Sequence, residues 1–369
     1  MQDSDGVHDS GLTAGWRRAL LRRGYIYRDA TADWVWPSSD RLSDRAQLLR
    51  LVVCAVGGFA ALWLLFFTLA SAFPYVAPGS NIVYRAKMQL ARSGEVFPPA
   101  GHAQRLLIFG DSRILTGFIP EEFDRLAAAG HRQVYSFNAG IPGANDFVSQ
   151  LKVMSDRGQS PDVLLLTFPW KNTRSGIDPF NLIPDDHNFA SRVFPFRFLM
   201  TDVIRFLLAS RERGGPRQYY AAARRTTDRM IADRGYYFID EHSQYANERL
   251  PDNYSLDTDQ PQFVDPSRTH PPMASAELLQ LRETIALHHI TCYYVPYYAR
   301  EGSFAVPPAH DDEFARSLES QFPCTVLGPR YFVYPPEMFA DVLHLNQQGA
   351  RAYTQALYQL LADRLVLKP

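Results

Sequence analysis

The stretch Leu51–Phe73 runs for 23 residues without a charged side chain. About 20 apolar residues carry a helix across a bilayer. The run is longer than the apolar core of a signal peptide and begins too far into the chain to be one. With its flanks it predicts a transmembrane helix over 49–73; a helix buried in a protein core is the competing reading. The arm before it, 1–48, contains GWRRALLRRGYIYRD. That segment reads either as a basic amphipathic helix on a membrane surface or partner, or as a tail with little structure. Residues 74–103 read as a linker.

Beyond residue 103 short apolar runs alternate with stretches of helical period. RLLIF, VYSFNAG, DVLLLTF, ITCYYVPYY and TVL predict strands. PEEFDRLAAAG, NDFVSQLKVMSDRG, ASAELLQLRETIALHH, DDEFARSLESQF and GARAYTQALYQLLADRL predict helices, the first closed by Gly130 as a C-cap. The strand runs are apolar throughout instead of alternating, as expected when a sheet is buried on both faces. The succession predicts a three-layer α/β domain over 104–369, a parallel sheet with helices on both sides. Between about 173 and 272 the alternation breaks. FRFLMTDVIRFLLASRER and QYYAAARRTTDRMIADRG in that stretch predict an inserted helical subdomain over the carboxyl ends of the strands.

Composition changes this picture little. Hydrophobic residues make up 46% and charged residues 21%, ordinary values for a chain with a substantial core. A net charge of −1 offers no basic surplus for nucleic acid. The first 50 residues hold eight arginines and seven aspartates. Basic residues set orientation and acidic ones count for little, so the arm is expected on the cytoplasmic side and the large domain outside. Close to the span the basic residues tie, with Arg41, Arg45 and Arg50 before it and Arg85, Lys87 and Arg92 after it. Of the three cysteines, Cys54 lies in the apolar run. Cys292 and Cys324 lie in separate predicted strands, and spacing leaves open one bridge or two buried thiols. No CxxC pair or His-rich tract suggests a metal, and no cofactor is expected.

Candidate chemistry gathers at predicted strand ends, where open parallel sheets place their reactive groups. Gly110-Asp111-Ser112 follows LLIF at a helix entrance. There the serine hydroxyl is exposed and nearby amides can hold an oxyanion; alone, the serine also reads as an N-cap. Asp341-Val342-Leu343-His344 precedes the closing helix. A serine nucleophile needs a base, histidine suits neutral pH, and a carboxylate on its second nitrogen fixes the tautomer. Alone, this segment reads as a capped surface loop. Phe137-Asn138-Ala139-Gly140-Ile141-Pro142-Gly143 follows a strand and can turn a glycine amide toward the reaction centre, or is a plain turn. Arg113 is placed to meet an anionic substrate or to pair with Glu121 or Glu122. Asp111, Asn138 and Trp170 are further substrate-binding candidates. Tyr293, Tyr294, Tyr297 and Tyr298 read as a sugar groove, with two of the four expected in the core. His242 and His270 read as surface residues.

Taken together, these three blocks resemble the SGNH (GDSL-type) hydrolase superfamily over about residues 104–173 and 274–365. The resemblance implies a flavodoxin-like, SGNH-type sheet with Ser112 as nucleophile, His344 as base and Asp341 as its partner. It implies oxyanion donors at the Ser112 and Gly140 amides. One block departs: the family usually carries Gly-x-Asn-Asp after the third strand, and here Phe168-Pro169-Trp170-Lys171-Asn172 stands instead. Asn172 is the candidate for the missing donor and Trp170 for the floor of the site. With its single anchor the chain is similar to membrane-anchored proteins of polysaccharide O-acetylation and teichoic-acid D-alanylation. That implies a single-pass protein of a bacterial cytoplasmic membrane with a periplasmic domain. The implied partners are the lipid bilayer, a polysaccharide substrate, and a membrane-bound O-acyltransferase or polysaccharide synthase. The implied activity is acyl transfer, O-acetyl first, to an exported or cell-surface polysaccharide. A carbohydrate esterase with the same triad, and a non-catalytic scaffold or glycan-binding subunit, are the alternatives.

Overall fold

The structure, a computed structural model, describes residues 27–28, 34–35, 45–77, 79–99, 101, 103–142, 147–167, 194, 196–238, 249–251, 275–302, 316, 319–320 and 323–365. The chain forms two compact units, Met1–Ala72 and Phe73–Pro369. In the first, β1 (Tyr27–Arg28) pairs antiparallel with β2 (Trp34–Val35), and α1 spans Arg45–Ala72. The 25 residues Leu48–Ala72 are long and apolar enough to cross a membrane. Their large side chains, among them Val53, Val56, Phe59 and Leu64, face outward, which is not how a core helix packs.

The second unit is built on five parallel strands: β3 (Gln104–Phe109), β4 (Val134–Asn138), β5 (Val163–Leu166), β6 (Thr291–Tyr294) and β8 (Thr325–Val326). Their spatial order is β4-β3-β5-β6-β8. The chain leaves β3 toward one edge, returns past it to β5, and continues toward the other edge. Right-handed crossovers then place α4 (Pro120–Ala129) on one face and α5 (Phe147–Asp156) with α8 (Ser275–Leu287) on the opposite face. Packing agrees: α4 lies against the closing helix α9 (Gln347–Leu361), and α5 lies against α8. The central strands β3 and β5 are apolar on both faces, and Leu106, Leu107, Ile108, Leu164 and Leu165 are fully buried. Each such side chain contributes roughly 1.5–3 kcal/mol of transfer free energy. A sheet of this order has its switch point where the winding reverses, here between β3 and β5, and ligands of doubly wound sheets bind at the carboxyl ends there.

Several elements differ from the sequence expectation. ITCYYVPYY is two strands, not one: β6 ends at Tyr294, and β7 (Tyr297–Arg300) pairs instead with β9 (Tyr331–Tyr334) in a separate parallel ladder. The break falls at Val295-Pro296, where proline withholds a ladder hydrogen bond. The linker holds a helix, α2 (Gly79–Ser93), which buries Tyr84, Met88 and Ala91 and packs on α5. Gly130 does cap α4, but at φ −87. The left-handed residue is the next one, His131, at φ 59. Cys292 and Cys324 are bridged. The expected helix DDEFARSLESQF lies largely outside the described residues.

The predicted insert contributes α6 (Leu199–Ser210) and α7 (Pro216–Ala232). It is also threaded into the domain core. The residues that follow α7 run along β4 and along α3 (Ser112–Gly117): the Asn138 amide donates to Arg234 O (2.9 Å), and the Tyr237 amide donates to Leu115 O (2.9 Å). Further on, Leu250 is buried and its amide donates to Phe339 O.

Candidate active site

Ser112 is the first residue of α3, directly after β3 and at the sheet's switch point. Gly110 makes the turn possible by close approach: a β-carbon there would lie 2.3 Å from both Ile114 Cγ1 and Thr167 Oγ1. Asp111 caps the helix by accepting from the Arg113 amide (2.9 Å). As head of a helix, the Ser112 amide belongs to the group that lacks intrahelical acceptors.

The loop that ends at α9 brings the other partners. Asn346 caps α9 by accepting from the Gly349 amide (3.0 Å), while its Nδ2 donates to Glu337 O (2.7 Å). Phe339 and Leu345 form an antiparallel bridge. Between them Asp341 Oδ1 accepts from the amides of Leu343 and His344, each at 2.8 Å. His344 Nδ1 lies 2.8 Å from Asp341 Oδ2, and Nε2 lies 2.9 Å from Ser112 Oγ. An ionised carboxylate can only accept. Nδ1 therefore carries the proton, and Nε2 is left to accept from the serine hydroxyl. Burial works to raise the Asp341 carboxyl, but the His344 ring and the two loop amides outweigh it and hold it below its ordinary range. The His344 and Asp341 side chains are 23% and 30% exposed, so the site is open to a substrate. In this arrangement the imidazole is placed to take the serine proton as the hydroxyl attacks, and the carboxylate to stabilise the imidazolium that results.

The other sequence candidates divide. Asn138 is no substrate contact: it is fully buried, its Nδ2 donates to Ile114 O (2.7 Å) and Phe118 O (2.8 Å), and its Oδ1 accepts from the Gly140 amide (2.9 Å). It holds the middle and the carboxyl end of α3 in place. The same bond corrects the expectation for Gly140. The residue does lie against α3, but its amide is directed to Asn138 and not toward the reaction centre. Asp111 faces the protein, accepting from Tyr297 Oη as well as from the Arg113 amide. Arg113 reaches neither Glu121 nor Glu122; it pairs with Asp111 (3.4 Å) and stacks over the Tyr297 ring at 3.8 Å. Glu122 pairs instead with Arg125. Tyr294, Tyr297 and Tyr298 are core residues, so three of the four tyrosines are withdrawn from any groove. Trp170, Asn172, His242 and His270 lie outside the described residues. Among the described residues no group of three or more His, Cys, Asp or Glu could hold a metal ion.

Lys87 was not singled out from the sequence. It lies in α2, only 2% exposed, and its Nζ donates to Asn138 O (2.7 Å) and Gly140 O (2.6 Å). Burial holds its amine well below the ordinary lysine range. The loop after β4 is thus fixed from behind by Lys87 and from within by Asn138. No family model, curated protein or solved structure matches the chain.

Proposed function

We propose that the chain is a membrane-anchored serine acyltransferase of SGNH type, moving an acetyl or related acyl group onto a polysaccharide outside the cytoplasm. The observation that carries the proposal is the continuous hydrogen-bonded chain Ser112 Oγ, His344, Asp341 at 2.9 and 2.8 Å, placed at the switch point of the parallel sheet. In the first step Ser112 Oγ bonds to the ester carbonyl carbon while His344 Nε2 takes its proton. The helix-head amide of Ser112 faces the developing oxyanion; one such donor is typically worth about 3 kcal/mol. The tetrahedral intermediate collapses with cleavage of the ester bond, and the departing alcohol takes the proton from His344. A sugar hydroxyl then repeats the sequence in reverse, giving its proton to His344 and freeing Ser112. The Cys292–Cys324 bridge supports a domain outside the cytoplasm, because disulfides persist in oxidising compartments. The exposed, apolar Leu48–Ala72 helix supports the anchor.

The partial exposure of Asp341 and His344 favours a second reading, since water reaches the same acyl-enzyme and the chain then acts as a carbohydrate esterase. The full-length protein in detergent, given an activated acetyl ester with and without bacterial surface polysaccharide, separates the two. Acetyl on the glycan supports the transferase. Free acetate alone in both mixtures supports the esterase, and no turnover in either defeats both.

A further inference from the structure

Helix α6 packs one face, which carries Asp202, Phe206 and Ser210, and exposes an apolar one. One face is packed: Phe206 is buried and lies 5.2 Å from the Tyr219 ring on α7. The other is in solvent, with Met200 63%, Ile204 56%, Leu207 48% and Leu208 58% exposed. Their spacing places the four on one stripe of the helix. Phe73 and these four make up five of the nine exposed large hydrophobics described in the second unit, the others being Ile231, Leu279, Leu287 and Val333. A single exposed leucine needs no explanation, but a contiguous stripe on one helix does.

Ring contacts tie this helix to the residues that follow the membrane-length helix. Phe73 directly follows the last residue of the membrane-length helix. Phe73 and Tyr75 both pack edge-on against Tyr220 of α7, at 6.5 and 5.4 Å, and Tyr220 packs on Phe206 of α6 at 6.4 Å. At 3.8 Å per residue, Phe73 and Tyr75 lie within roughly 12 Å of the end of that helix. The α6–α7 pair is therefore clamped to the first residues past it. Exposed arginines bracket the stripe, Arg197 and Arg205 along it and Arg211 and Arg213 just beyond. An amphipathic helix with arginines at its border suits the boundary between headgroups and acyl chains, where apolar faces bury roughly 5–10 Å deep.

We propose that α6 lies on the bilayer surface, its Met200-Ile204-Leu207-Leu208 stripe in the acyl boundary and its arginines among lipid phosphates. This rests on the reading of Leu48–Ala72 as a membrane span. The consequence for the site is direct. α7 runs from the clamp at Tyr220 to the segment whose Tyr237 amide holds Leu115 in the nucleophile helix. Membrane docking of α6 is thereby linked through α7 to the helix that begins at Ser112.

The test uses the full-length chain reconstituted into phosphatidylcholine vesicles with a minority of phosphatidylglycerol and of lipid spin-labelled near the headgroup. A fluorophore is attached to a single cysteine introduced as Ile204→Cys or Leu208→Cys in a Cys54→Ala background. Leu279→Cys on α8 is the exposed reference, and the native Cys54 thiol reports on the span. Quenching at 204 and 208 on the order of threefold stronger than at 279 is expected for a probe in the acyl boundary. Equal quenching at 204 and 279 with strong quenching at Cys54 overturns the proposal and leaves the span intact. Weak quenching at all positions, Cys54 included, overturns both. A probe at 204 shielded from aqueous iodide but not reached by the labelled lipid also overturns it, since the stripe is then covered by protein.

Discussion

Lys87 links a buried amine to the geometry of the loop that follows β4. Its two acceptors, Asn138 O and Gly140 O, are backbone groups that would be left buried and unmet without it. A Lys87→Met variant keeps the aliphatic volume and removes both donors. It should lose about 2–4 kcal/mol of stability in chemical denaturation. It should also lower kcat on an acetyl ester more than it raises KM, because the loop beside Ser112 loosens. Asp341 gives a pH signature. Its folded value is depressed, so its contribution to stability is present above the ordinary carboxylate value of about 4. It is lost as pH falls through the lower folded value. Melting temperatures measured across acid pH should show this loss in the wild type and lack it in Asp341→Asn. The same variant should drop kcat on the order of a thousandfold or more, because asparagine no longer fixes the productive imidazole tautomer. The meeting of Ser112, Asp341 and His344 was readable because a serine–histidine–aspartate arrangement demands particular residue types at strand ends. Lys87 was not, because its partners lie 51 and 53 residues away and nothing local announces them. The Gly140 assignment failed for a related reason: which way an amide points depends on a side chain, here Asn138 Oδ1, that competes for it.

At the scale of elements, α3 is only six residues long and depends on its neighbours. Asn138 holds it from β4, and the stretch after α7 holds it through Tyr237. Gly235 makes that stretch possible, at φ +88 and with Asn138 O only 2.0 Å from where a β-carbon would sit. Gly235→Ala should therefore cost more than about 2 kcal/mol, seen as a lowered melting temperature. It should reduce ester turnover as α3 shifts, although residue 235 is not in the triad. The two insert helices could be read from their amphipathic period. The break between β6 and β7 had a visible signal in Pro296. The helix over Gly79–Ser93 had one too, in the spacing of Tyr84, Met88 and Ala91. Charges at Arg85, Lys87 and Arg92 read equally well as a membrane flank, and only packing decides between the two.

At the scale of the molecule, the parallel sheet and the long apolar helix were both visible as periodicities, whereas the disulfide was not, since cysteine spacing carries no geometry. Protein extracted from cells with thiols blocked at lysis should show Cys54 alkylated and Cys292–Cys324 protected until reduction. Three alkylated cysteines before reduction would place the domain in a reducing compartment. Reduction should lower stability by roughly 2–4 kcal/mol. The central claim, that Ser112 is a nucleophile activated by His344, is tested most directly by covalent labelling of the full-length protein with a fluorophosphonate probe. The expected result is one label per chain on Ser112 by peptide mass, no label on Ser112→Ala, and strongly slowed labelling of His344→Ala, with melting temperatures of all three proteins close together. A folded wild-type protein that takes no label, or a Ser112→Ala variant labelled as fast as wild type, would contradict it.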